Sequence, residues 1–441
     1  MPPRVVSDAT CELGSSPVRL STTYSAVLGV LGAAFAVALS CNEYPSDLRE
    51  RARLTDASSG DTIWWQSTDP NGCTTWRKPN EGDRPVSTVA TNLEPLYFAF
   101  DSVRLGSRDL AGNLSDTAWK TLGLDVDGVC TASDTCKQVN TQPCTGLSPN
   151  PDGENCRDNT FGRLAGDTAK QIVPMGIPIS DLGLNCGLCK GRFNLVFRVS
   201  GYNGTRSDDK VRVDIYPSPG LENQSLFPDV CQPTGTYGPL CWTRNYPWTV
   251  DESVLSLRDV AGPNLSDSKW YDDNAYVREG VLVARYPSGQ LLWPPHTLSS
   301  TVYVLPLRVT DGQIMGRIEL QPDGDWIIRD GLIAGRSRGA DVKAGFRMLG
   351  ICPSSPLYPT IEFVESGLDL LASGDVDGLK SCDAMSFGFG FVARQAIAGK
   401  AAQAPVLQDC PATDGGLPDA DAAVPDTGSR DAQGAETGSE G

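Results

Sequence analysis

Residues 192–215 read RFNLVFRVSGYNGTRSDDKVRVDI. Apolar and polar residues alternate from Leu195 to Val199 and again from Val211 to Ile215, with Gly201-Tyr202-Asn203-Gly204 between the two runs. A period of two on both sides of a glycine-rich turn predicts a pair of antiparallel strands with one buried face. Further strand candidates lie outward from this pair. They are residues 97–103, Glu279–Arg285, Thr301–Val309, Gln313–Leu320, Trp326–Ile328 and Ser386–Ala393. Asp311-Gly312, between two of these runs, predicts a hairpin turn.

Helix is scarce. Asp341–Leu349 places Val342, Phe346 and Leu349 on one face, with Asp341 as a cap and Gly350 as a stop. A second candidate follows Thr360, with Ile361, Val364, Leu368 and Leu371 at helical spacing. Short strands, frequent Gly and Pro and two short helices near the C-terminal end predict an all-β, disulfide-stapled body of β-sandwich or jelly-roll type over residues 61–400. An internal echo suggests two related lobes, 61–250 and 251–400. RDLAGNLSD at 108–116 precedes Trp119, and RDVAGPNLSD at 258–267 precedes Trp270.

The longest apolar run, Ala26–Leu39, is short for a bilayer span and suits the core of an export signal. It leads into Ala38-Leu39-Ser40-Cys41, which resembles a bacterial lipobox. That resemblance implies cleavage before Cys41 and a lipid on its thiol. Residues 1–40 are therefore read as a lipoprotein signal peptide and 41–60 as a polar tether. Val18–Cys41 alone would make a compact signal, so translation is expected to start at Val18. Residues 401–441 are read as an acidic disordered tail. From Pro411 onward there are seven acids, one base and almost no large apolar residue, too little to offset chain entropy.

The formal net charge of −17 gives no electrostatic footprint for nucleic acid. It leaves membrane contact to the lipid anchor. With Cys11 and Cys41 set aside, twelve cysteines remain. An even number in an exported chain reads as a framework of up to six bridges. Cys186-Gly187-Leu188-Cys189 has redox spacing but precedes a strand, so the two are read as half-cystines with different partners. Cys231 and Cys241 are expected to close a loop, and Cys352 and Cys382 to tie the second helix to the last strand. A single histidine, His296, excludes a zinc site with several histidines in one chain. It would have to serve alone in any Ser-His-Asp device. There is no phosphate-cradling glycine loop and no Gly-x-Ser-x-Gly elbow.

Two constellations could carry chemistry. Asp125-Val126-Asp127-Gly128 sets carboxylates at alternate positions beside a turn glycine. Disulfides among the following cysteines would bring Asp158 and Asn159 alongside. Such an oxygen-only set suits calcium. Asp375-Val376-Asp377-Gly378 repeats the short motif. Trp242, Tyr246 and Trp248 form an aromatic group that either stacks on sugar rings or covers the core, and Trp64-Trp65 near Trp76 invites the same two readings. No motif singles out a carboxylate pair for glycoside hydrolysis.

Trp119–Cys130 with Arg157-Asp158-Asn159, Val199–Gly204 with Asp208-Asp209, and Cys382–Phe391 together resemble uncharacterised secreted cysteine-rich lipoproteins of the type abundant in myxobacteria. The resemblance implies an exported lipoprotein at the outer membrane or cell surface and brings no activity or site residues. The expectation is a non-enzymatic cell-envelope module that binds a polysaccharide or an envelope protein. The alternatives are an extracellular polysaccharide hydrolase and a purely structural envelope protein. Mass spectrometry of the exported protein should find lipid-modified Cys41 at the N-terminus and no peptide from Pro2 to Pro17.

Overall fold

Strands form where the sequence alternates, and they close on themselves. The computed structural model describes residues 64–68, 73–86, 92–109, 113–131, 143–146, 150–165, 181–223, 241–256, 265–286, 289–293, 305–348, 352–354, 358–403 and 410. The strands are β1 Gln66–Thr68, β2 Thr74–Trp76, β3 Leu96–Arg104, β4 Asn194–Ser200, β5 Asp208–Ser218, β6 Pro247–Asp251, β7 Tyr271–Arg278, β8 Val281–Tyr286, β9 Gly289–Trp293, β10 Leu305–Leu320, β11 Trp326–Arg338, β12 Ala384–Gln395 and β13 Ile397–Ala402. The helices are α1 Asp181–Cys189, α2 Gly339–Met348 and α3 Pro359–Ser366, with a further helical segment at 160–165.

The all-β class read from the sequence holds, and the sheet is a ring. β3, β4, β5, β7, β8, β10, β11 and β12 pair in chain order, each antiparallel to the next, and β12 returns to β3. This is an eight-stranded up-and-down barrel, the size whose interior side chains just fill. Phe98, Phe100, Phe197, Ile215, Val277, Ile333, Phe387 and Phe391 meet inside it. Three barrel strands precede residue 250 and five follow it, so the two predicted lobes are parts of one ring with one core.

Two outer layers cover the wall. Ala99, Val196 and Tyr216 face outward and pack under Trp242 and under Trp248 and Val250 of β6, which runs parallel to β13. On the other flank Tyr276, Val283, Met315 and Ala334 pack under Leu124, Val126, Leu370 and the Trp64, Trp65, Trp76 group. Burial on both faces explains why Val196 breaks the alternation of β4: it faces outward but stays dry. Arg198, also outward, is held by the buried carboxylate of Asp214 at 2.7 Å.

Several boundaries differ from the sequence reading. Asp311-Gly312 turns no hairpin. β10 runs straight through it, Asp311 taking φ 52° at a register shift, with β9 paired before it and β8 after it. A Cβ on Gly312 would lie 2.5 Å from Tyr286 Cβ, so that strand approach requires glycine. Glu279 and Gly280 are themselves a two-residue turn with φ 53° and 84°, which moves the predicted strand to Val281. The body also extends beyond residue 400. β13 reaches Ala402, and Cys410 is bridged to Cys352.

The bridges are Cys130–Cys156, Cys144–Cys382, Cys189–Cys241 and Cys352–Cys410. Cys73 and Cys186 are disulfide-bonded as well. Cys186 and Cys189 thus have different partners, as expected, and both sit on helix α1. Cys231 does not close a loop with Cys241, whose partner is Cys189. Neither does Cys352 reach Cys382, because each is held by a more distant cysteine. Such bridges belong to an oxidising compartment.

At one end of the barrel, β3 outruns β4. Their pairing stops at Ala99–Val196. Beyond it, Asn194 accepts from Phe100 N–H (2.6 Å) and donates to Phe100 C=O (3.0 Å). Asn185 does the same for Val103 (2.7 and 2.9 Å), and Asp181 accepts from Leu105 N–H (2.7 Å). Asp181 and Asn185 are four residues apart on α1, which puts them on one face. Asn185→Ala orphans both backbone groups of Val103. It should cost about 1–3 kcal/mol, read as a lower urea midpoint with an unchanged slope.

Candidate metal centre

Leu124 and Val126 are buried in the outer apolar layer, so the alternating Asp125 and Asp127 emerge on the opposite side of the chain. Two close approaches fix this segment. A Cβ on Gly123 (φ 110°) would lie 2.5 Å from the carbonyl oxygen of Asp158, and one on Gly388 would lie 2.5 Å from Gly123 Cα. The 122–126 segment is therefore pressed between β12 and residue 158. Asp125 N–H donates to Trp76 C=O (2.8 Å), and Asp158 N–H donates to Leu124 C=O (3.0 Å). Cys130–Cys156 ties the two arms together two residues before Asp158.

One oxygen from each of Asp125, Asp127 and Asp158 lies within 4.8 Å of the others. Short bonds aim these side chains. Gly128 N–H donates to Asp125 Oδ1 (2.6 Å), Val129 N–H to Asp127 Oδ1 (2.7 Å) and Val126 N–H to Asp158 Oδ2 (2.7 Å). Each carboxylate thus spends one oxygen on the backbone, and the Asp158 side chain also meets the Asp152 side chain in a hydrogen bond. Arg336, buried in β11, donates to the carbonyl of Val126 between the two aspartates.

Two acids that the sequence reading did not single out stand behind the trio. Asp152 accepts from Thr131 N–H (2.6 Å) and Thr131 Oγ1 (2.5 Å). Asp369 accepts from Ser386 N–H (2.8 Å), Ser386 Oγ (2.5 Å) and Thr160 Oγ1 (2.8 Å). Asp369 is hidden by its distance in sequence from Asp125, and no local motif marks Asp152, although it lies closer to Asp125 in the chain than Asp158 does. Among the described residues no Lys or Arg forms an ion pair with any of the five.

Asn159 was expected beside these ligands and does not join them. Its Oδ1 accepts from Gly162 N–H (3.0 Å) and Gly388 N–H (2.8 Å), and its Nδ2 donates to Trp119 C=O (3.2 Å). It is fully used as a backbone partner. Asp375 and Asp377, the second copy of the motif, lie on a separate loop with Leu379 exposed. Trp242 and Trp248 are core rings, 5% and 0% exposed, meeting edge-on at 5.3 Å, and half-buried Tyr246 packs on them. Placed so, they offer no open platform for a sugar. Cys41, His296 and the residues after Cys410 lie outside the described residues.

Burial pushes Asp125 up to about 6, against the pull of Gly128 N–H. Asp127 rises to about 8, from burial and then from Asp125, Asp152 and Asp369. Asp152 rises to about 7, chiefly by burial. Asp158 is held well above the usual carboxylate range by burial and then by Asp127, Asp152 and Asp125. Asp369 is raised by burial, against its hydroxyl and amide donors.

No family model and no solved structure matches the chain. Short matches exist with superoxide dismutase (Mn) of Mycobacterium leprae (strain TN) and of Nocardia asteroides. Each is 31% identical over 67 residues, 15% of this chain and 28% of the relative. A third, from Mycobacterium malmoense, is 30% identical over 64 residues, 14% of this chain and 40% of the relative. The chain thus spans less than half the length of these relatives, and the matches assign no family.

Without a cation, the raised carboxyls predict how stability follows pH. Unfolded aspartates titrate near 3.9, and in the folded chain Asp125, Asp152 and Asp127 titrate between about 6 and about 8. The native state then binds more protons, so stability falls as pH rises from about 4 through 8. Melting in chelator at pH 5.5 and pH 8 should show the lower midpoint at pH 8.

Proposed function

We propose that the chain is an exported, non-catalytic binding module. In this reading a disulfide-stapled barrel is held at the cell envelope through lipid on Cys41. A divalent cation, calcium foremost, fixes one outer face, and the ligand is a polysaccharide or an envelope protein. The observation that carries the cation is the convergence of Asp125, Asp127 and Asp158 oxygens within 4.8 Å, with no Lys or Arg ion-paired to them among the described residues. Calcium takes oxygen ligands at about 2.3–2.6 Å, so oxygens on opposite sides of the ion lie about 5 Å apart. An oxygen-only set also admits magnesium and manganese, and the short superoxide dismutase matches do not decide among them.

Export draws support from the bridges, and the envelope location from the lipobox-like stretch. A hydrolase is the second reading, because raised carboxyls such as Asp127 and Asp152 suit a general acid. Enclosure argues against it. Asp125 is 7% exposed and Asp158 2%, and all five acids spend an oxygen on a backbone N–H. No sugar ring fits between groups so placed.

Calcium in excess should raise the melting midpoint of the oxidised chain, and chelator should reverse the rise. At a hundred times its Kd a bound ion adds about 2.7 kcal/mol. Asp158→Asn keeps the acceptor for Val126 N–H and removes a charge, so it should abolish most of the shift. Magnesium and manganese run alongside rank the ions. Equal midpoints with each metal and with chelator would refute the cation. Product release from envelope polysaccharide would move the protein to the hydrolase class.

A further inference from the structure

One arginine is buried beside the acidic group and pairs with none of its members. Arg336 is 4% exposed and stands two residues after Ala334 on the outer side of β11. Its guanidinium donates to two carbonyls, Val126 C=O and Leu371 C=O (3.5 Å). Both belong to arms that carry acids. Val126 stands between Asp125 and Asp127, and Leu371 follows Asp369 by two residues. Among the described residues Arg336 has one ion pair, with half-exposed Asp311 at 3.6 Å, and its Nε has no acceptor. A charge taken out of water with so little compensation is costly.

The surroundings are shaped to keep it there. β10 carries one extra residue between Thr310, opposite Arg336, and Gln313, opposite Ala334. Asp311 in that bulge takes φ 52°, which is uncommon outside glycine. There its carboxylate lies between Arg336 and Lys78. Lys78 follows Trp76 and Arg77, which pair with Asp125 through the backbone (Asp125 N–H to Trp76 C=O, 2.8 Å). The arm that carries Asp125 and Asp127 is therefore gripped twice, by this backbone pairing and by the Arg336–Asp311–Lys78 chain. On another flank Gly374 takes φ 84°, and a Cβ there would run into Arg336 Nη1. A bulge, a strained aspartate and an obligatory glycine around one buried charge mark a functional constraint.

We propose that Arg336 is the positioning residue of the cation centre. Its planar fork reaches two carbonyls at once, so it holds the Asp125–Asp127 arm in place against Asp158. It acts through the backbone and leaves the three converging carboxylates to the ion. Lysine carries the same charge without the fork and cannot span both carbonyls. The proposal rests on the reading that the centre takes a cation.

The test titrates the oxidised full chain with calcium by calorimetry and records terbium luminescence lifetimes in the same chains. The unaltered chain should bind calcium. Arg336→Lys should weaken calcium at least tenfold and shorten the terbium lifetime, as water takes the place of a displaced carboxylate. Asp311→Asn removes the anchor of the guanidinium at a position where asparagine tolerates positive φ. It should fold and weaken calcium at least threefold. Asn185→Ala loosens the barrel outside this network and should leave both readouts unchanged. An unchanged calcium affinity in the folded Arg336→Lys chain overturns the positioning role and leaves the cation standing. Where the lysine variant does not fold, an unchanged affinity in Asp311→Asn does the same. An equal loss in Asn185→Ala also overturns the role, because general loosening then accounts for it. Absence of calcium binding to the unaltered chain refutes the cation reading and this role with it.

Discussion

Past Ala99 the backbone of β3 has no strand on its β4 side. Phe100, Val103 and Leu105 still carry polar groups that cannot be left dry. The fold meets this with side chains: Asn194, Asn185 and Asp181 continue the ladder where the strand has turned away. The ring closes through β12 on the other side of β3, so β3 can be a closing strand only if both edges are satisfied. The amide of Asn185 matches a peptide group in having one donor end and one acceptor end. It therefore substitutes for a strand residue without strain and fastens α1 across the barrel end.

β12 meets the same problem at the same end. Its pairing with β3 begins at Gly390–Arg104, which leaves Ser386 and Gly388 without a strand neighbour on the β3 side. Asp369 takes the Ser386 N–H and Asn159 takes the Gly388 N–H. The acidic group thus arises partly from sheet geometry. Asp369 is present because a strand edge needs an acceptor, and Asn159 for the same reason. Asp125, Asp127 and Asp158 serve no strand edge, and the convergence of one oxygen from each defines the centre. This division explains why Asn159, which looked like a ligand from its place beside Asp158, is a structural residue.

The legible parts of the sequence were those with a period. RFNLVFRV and VRVDI declared their strands, and the even cysteine count declared a bridged framework. Val342, Phe346 and Ile361 marked the two late helices. Closure into a ring was not legible, because β12 and β3 are nearly 300 residues apart and no local pattern reports on a partner. Asp311-Gly312 misled because a bulge and a hairpin ask the same backbone freedom of the same residues. The aromatic residues Trp242 and Trp248 misled because a wall buried on both faces puts large rings outside the barrel yet out of water. Three of the site residues were legible from Asp-x-Asp-Gly and the cysteines beside it. Asp152 and Asp369 were not, since only the folded barrel brings them in.

The bridges and the acids bear on the same loops in different ways. Cys130–Cys156 holds the arms of the acidic group at fixed separation whether or not charge is balanced, by restricting the unfolded chain. Five neighbouring carboxylates in a dry setting act on the folded state itself. They can be accommodated by protons at low pH or by a multivalent cation at neutral pH, because carboxylates this close cannot all remain charged alone. The two partners compete for the same oxygens, so the cation matters most where protons are scarce. In an oxidising compartment the disulfide persists and keeps the carboxylates from dispersing. A bound cation would remove the repulsion that the staple preserves.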